Sequence, residues 1–132
     1  MIHKKRIIAV VLFMAYLVVV SYLCFGKPDD LPQLPMNWFG LPVDKIGHFL
    51  MFAPFTPLAY MSLVSDDMSS ARNVTLIIIV IIVGTGLALG TELVQAHLQY
   101  RTAEKYDLLA DMIGLSTGAF MTTLYIFFKK HQ

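Results

Sequence analysis

The sequence predicts an all-α protein, a four-helix transmembrane bundle with both termini cytoplasmic. Three observations carry that expectation. The 132 residues are 57% hydrophobic and only 14% charged, where a soluble domain carries about 25% charged residues. Four apolar runs are long enough to cross a bilayer. Most of the charges stand at the ends of those runs or between them, so none of the runs has to carry a charge through the bilayer centre.

The first run, 7–25, follows Lys4, Lys5 and Arg6. Its roughly 19 residues at ~1.5 Å each cover about 29 Å, close to the hydrocarbon thickness. It is too long for a signal-peptide core, and Ser21-Tyr22-Leu23 offers no small-x-small cleavage site. Cys24 belongs to the span, and a single cysteine excludes both an intrachain disulfide and a Cys-based zinc site. Gly26 to Val43 contains Pro28, Pro32, Pro35 and Pro42, which deny it a regular helix or a central strand. Within it, Met36, Trp38 and Phe39 suit an interfacial tether.

The second span, 44–64, opens on Asp44, an expected N-cap. His48 lies one turn on, and Pro54 should kink the helix by removing a hydrogen bond. A polar turn over 65–73 leads to the third span, 74–98. There Gly86 and Gly90 form a small-xxx-small pair expected to admit another helix. Glu92 and Gln95 close this span near an interface. In the fourth span, 106–128, Asp107, Asp111, Gly114 and Gly118 fall on one helical stripe. The Gly114/Gly118 pair predicts that this stripe faces protein rather than lipid.

Four spans put both termini on one side. That side carries Lys4, Lys5, Arg6, Arg72, Lys129 and Lys130; the other carries Lys27, Lys45, Arg101 and Lys105. The excess places the termini in the cytoplasm. The polar residues then gather at the outer end. Asp44, Glu92, Glu104, Asp107 and Asp111 face Lys45, Arg101 and Lys105, a formal excess of two negatives with His48 neutral. Such a site can keep a carboxyl protonated, charge His48, or bind a cation.

Three stretches resemble the VanZ-like family of small bacterial membrane proteins. They are Asp44-Lys45-x-x-His48-Phe49, Glu92-x-x-Gln95, and Arg101-x-x-Glu104-x-x-Asp107-x-x-x-Asp111-x-x-Gly114. Glu104 stands where the pattern has Asp, and Asp111 where it has Asn. The family is named for a protein conferring resistance to the glycopeptide teicoplanin. The resemblance therefore implies a multi-pass protein of the bacterial cytoplasmic (inner) membrane, acting in the cell envelope.

Three functional readings follow. In the first, the outer site recognises or modifies an envelope molecule, a lipid-linked precursor or a lipid headgroup. Lys45, Gln95, Arg101 and Glu104 would bind the ligand, with Arg101 and Lys45 on phosphate or carboxylate. His48, Glu92, Asp107 and Asp111 would supply acid–base chemistry. In the second, the cluster is a non-catalytic lock across helix ends. In the third, His48, Glu92 and carboxylates of the fourth span hold a metal. One inward histidine is a thin basis for a metal, and no metal ligand or cofactor is assigned. The partner is the lipid bilayer, and a net charge of +1 gives no reason to expect nucleic acid.

Overall fold

A computed structural model describes residues 2–100 and 102–130. Helix α1 runs Ile2–Phe25. A 3-10 turn, Pro28–Asp30, and a two-strand ribbon follow, β1 Asn37–Trp38 and β2 Leu41–Pro42. Then come α2 Val43–Phe52, α3 Phe55–Leu63, α4 Ser70–His97 and α5 Lys105–Lys130. With α2 and α3 counted as one broken span, four segments are long and apolar enough to cross a membrane.

The break comes at Ala53–Pro54, where the sequence places it. Pro54 has no N–H to return to the carbonyl one turn back. Pro57 falls in the first turn of α3, where the N–H would lack a helical partner anyway. The proline-rich loop is more ordered than expected. Antiparallel pairing of Asn37 with Pro42 and of Trp38 with Leu41 leaves Phe39 and Gly40 as the turn. Both have positive φ, 50° and 78°, as the twist of a two-residue hairpin requires.

Two boundaries need correction. Asp44 does not cap α2: the N-cap position is Pro42, without a side-chain hydrogen bond, and Asp44 sits in the first turn. The third span starts at Ser70 rather than 74, because the Ser69 hydroxyl accepts the Arg72 N–H at 3.3 Å.

The core joins Phe52 and Phe55 to Val80, Ala88 and Leu115, with Phe13, Tyr16 and Leu17 of α1 against it. Close approach of α5 to α2 depends on Gly114 and Gly118. A Cβ on Gly114 would stand 2.6 Å from the Phe49 carbonyl oxygen, and one on Gly118 would collide with the Ala53 carbonyl. The stripe Asp107, Asp111, Gly114 and Gly118 is buried throughout, as expected.

The glycine pair of α4 does not behave as expected. Gly86 and Gly90 have open space where a Cβ would be. The packed positions are Gly84, against Leu115 and Phe55, and the fully buried Ala88. The small-xxx-small pair that meets the bundle therefore lies two residues earlier, about 200° around the helix. Helix α4 carries two such pairs on opposite faces, and spacing alone does not choose between them.

Candidate functional site

The site forms at the end of the bundle away from both termini. The start of α2 brings Asp44, Lys45 and His48; the end of α4 brings Glu92 and Gln95; the start of α5 brings Asp107 and Asp111. The end of α1 joins them through backbone carbonyls. Gln95 Nε2 donates to the Cys24 oxygen at 2.9 Å, and the Tyr100 hydroxyl donates to that of Phe25 at 3.1 Å. At the opposite end, Arg6 reaches the Ser62 carbonyl and Lys130 reaches Ser70.

Two layers make up the polar cluster. In the outer layer, Lys45 Nζ lies 2.7 Å from Asp44 Oδ2, 2.7 Å from Glu104 Oε2, and against Asp107 Oδ1. An ammonium has three N–H donors, and three carboxylates engage them. Asp44 and Glu104 are exposed, whereas Asp107 is buried. In this arrangement Lys45 ties α2 to α5 and has no donor left for a ligand.

In the inner layer, His48 is 8% exposed and Asp111 completely buried. His48 Nδ1 lies 2.9 Å from Asp111 Oδ1. A carboxylate accepts, so Nδ1 carries a proton, and in the neutral imidazole Nε2 then keeps its lone pair. That nitrogen faces Asp107 Oδ2 at 3.6 Å. Glu92 is the third acid beside the ring: one donor atom each from His48, Glu92 and Asp107 lie within 4.8 Å of one another. A second set, Asp44, Glu104 and Asp107, meets the same limit, but Lys45 sits among them. Glu92 Oε1, Gln95 Oε1 and Asp111 Oδ2 are buried and accept no hydrogen bond from the described residues. Buried acceptors of this kind normally have partners.

Seven of the eight candidate residues therefore come together: Lys45, His48, Glu92, Gln95, Glu104, Asp107 and Asp111. Arg101 lies outside the described residues. The chemistry on offer is an imidazole held in one tautomer by a buried acid, with two further carboxylates within reach.

A cavity of about 870 Å³ opens beside this cluster. Its walls come from α1 (Tyr16, Val19, Val20, Leu23), the proline-rich loop from Pro28 to Asn37, and α2 from Val43 to Met51. His48, Gln95 and Asp44 are among its polar lining groups. Tyr16 was not singled out in the sequence. Its hydroxyl donates to the Met51 carbonyl, which pins α1 to α2 along the cavity wall. The available signal was a hydroxyl within an apolar run, which needs a partner once it leaves water.

The model of the VanZ/LLP1 family matches residues 6–128. The chain belongs to the VanZ/LLP1 family. That match covers every residue of the cluster and the whole cavity wall. This VanZ/LLP1 chain is also 33% identical, over 123 residues, to an uncharacterized protein of Schizosaccharomyces pombe; the shared region is 92% of this chain and 65% of the yeast protein. The chain thus spans just under two thirds of that relative's length. This relative is from a fission yeast, so the likeness does not carry the bacterial origin that the motif resemblance implies. No solved structure matches the VanZ/LLP1 chain.

Proposed function

We propose that the protein binds a membrane amphiphile at the outer leaflet, its apolar chain in the cavity and its headgroup beside His48 and Gln95. The cavity carries this reading. Its volume of about 870 Å³ falls in the ~300–1,000 Å³ range of small-molecule pockets, which combine apolar walls with a few convergent polar groups. The polar end holds both donors and acceptors. The His48–Asp111 pair, with Glu92 and Asp107, is equipped for proton transfer to or from a bound headgroup. The excess of basic residues on the terminal side supports cytoplasmic termini, and only the motif resemblance suggests the inner membrane of a bacterium. The family supports an envelope role linked to glycopeptide resistance. A relative in a fission yeast favours a lipid, which bacterial and fungal membranes share, over a molecule confined to bacterial walls.

Native mass spectrometry of the detergent-purified chain tests the reading. An amphiphile should travel with the protein and be lost from Gly47→Trp. Gly47 lines the cavity, and a Cβ there meets nothing within 4 Å, so the larger side chain fills the space without disturbing the helix. A wild-type chain that carries no amphiphile and shows no saturable lipid binding would end the proposal.

A second reading has one observation in its favour. Lys45 is fully engaged by carboxylates of α2, α5 and the loop before α5, as a non-catalytic lock requires. Under that reading, substitutions in the cluster lower stability and no ligand is found.

A further inference from the structure

We propose that His48, Glu92 and Asp107 hold one divalent transition-metal ion of the zinc or manganese type, with Asp111 positioning the imidazole.

The donor geometry points to it. Asp111 takes the Nδ1 proton, so Nε2 is the free ligand nitrogen. A carboxylate on the far ring nitrogen is the usual support of a metal-bound histidine. Nε2 and Asp107 Oδ2 are 3.6 Å apart, too far for a hydrogen bond. Two ligands at ~2.0–2.2 Å from a tetrahedral ion are about 3.3–3.6 Å apart. Asp107 divides its carboxylate accordingly, with Oδ1 on Lys45 and Oδ2 toward the ring. Glu92 completes the three donors within 4.8 Å.

Unmatched oxygens supply an independent observation. Glu92 Oε1 is buried without a partner among the described residues. So is Oδ2 of the completely buried Asp111, on the same carboxylate that grips the imidazole. So is Oε1 of the buried Gln95, one helical turn from Glu92 and beside His48 in the cavity lining. Every one of these orphans is an acceptor, and Glu92 belongs to the donor group itself while Asp111 holds the far nitrogen of its imidazole. A cation would partner the Glu92 oxygen directly, and its charge would offset the buried Asp111 acid behind the imidazole. One imidazole with carboxylates suits zinc or manganese; magnesium and calcium prefer all-oxygen shells. Three protein ligands also leave a coordination position open. Of the three ligands only His48 also lines the cavity, so the ion would lie behind its polar end, on the far side of the imidazole wall.

The test uses the full chain in detergent, stripped with a chelator and dialysed against Zn²⁺ or Mn²⁺, with metal content measured by mass spectrometry. Wild type should hold one ion per chain, melt at a higher temperature with the ion, and ignore Mg²⁺ at equal concentration. Glu92→Gln and His48→Asn should each weaken binding at least tenfold while helicity by circular dichroism is kept. Asp111→Asn keeps an acceptor for Nδ1 but loses the charge, and should weaken binding about 10–100-fold. Asp44→Asn, in the outer acidic group, should bind as wild type does. The proposal fails if neither ion binds saturably, if Glu92→Gln binds normally, or if Asp44→Asn is the variant that loses the ion. Metal is measured without lipid, and lipid binding on metal-stripped protein, so this inference and the amphiphile reading can fail separately.

Discussion

His48 Nδ1 and Asp111 Oδ1 meet at 2.9 Å across 63 positions of sequence. They lie on different helices, each near its helix start, and both are buried. Hydrogen bonds to charged groups contribute about 1.5–3 kcal/mol. A double-mutant cycle with His48→Ala and Asp111→Ala should therefore show a coupling of ~1–3 kcal/mol in detergent unfolding. Simple additivity of the two losses would show that the contact contributes nothing.

Lys45 sorts its three carboxylates by burial. Asp107 is nearly enclosed, while Asp44 and Glu104 are half-exposed in their side chains. Exposed ion pairs contribute ~0–1 kcal/mol; losing the partner of a buried charge costs about 3–5 kcal/mol. Lys45→Met should thus lower the melting temperature far more than Glu104→Gln does. Equal shifts would mean that the Asp107 contact is not the one that matters.

The two faces of α4 differ in what they tolerate. Gly84→Val should collide with Leu115 and Phe55 and destabilise by ~1–3 kcal/mol, the usual cost of overpacking. Gly86→Ala meets open space and should stabilise by about 0.5–1 kcal/mol through helix propensity. Thermal melts of the two variants check the order, and a destabilising Gly86→Ala would place the packed face wrongly.

Phe39 occupies a left-handed turn position at φ 50° and is 91% exposed. Asn tolerates that conformation better than Phe. Phe39→Asn should leave the melting temperature unchanged or raise it, with a gain of up to ~1 kcal/mol. It should also weaken adsorption of the loop to a bilayer interface, measured by quenching of Trp38 fluorescence with headgroup-labelled lipid. A fall in stability would mean that the Phe39 ring packs against something the fold needs.

Much of the architecture is legible in one dimension. Length and apolar content set the four spans, and Pro54 marks the break in the second. The Asp107–Gly118 stripe reports its own burial, because carboxylates and glycines on one face have no use for lipid. The level of the polar cluster follows from residue count along each helix. The identity of the α2 cap does not follow. Asp44 has the right chemistry for it, but Lys45 claims its carboxylate and the helix starts just after Pro42.

The sequence by itself determined which residues are polar, how far along a span each one stands, and that they share one end of a bundle. Only the tertiary structure decided the pairings. It set Gly84 and Ala88 against the core while Gly86 and Gly90 face outward, because helix rotation depends on the shape of the neighbours and not on spacing. It surrounded Lys45 with acids and turned His48 so that Asp111 holds one nitrogen, Asp107 faces the other, and Glu92 lies close by. Tyr16, Gln95 and the cavity between α1 and α2 acquired meaning in the same way. Their partners lie tens of residues away, where periodicity carries no information and packing alone brings them within reach.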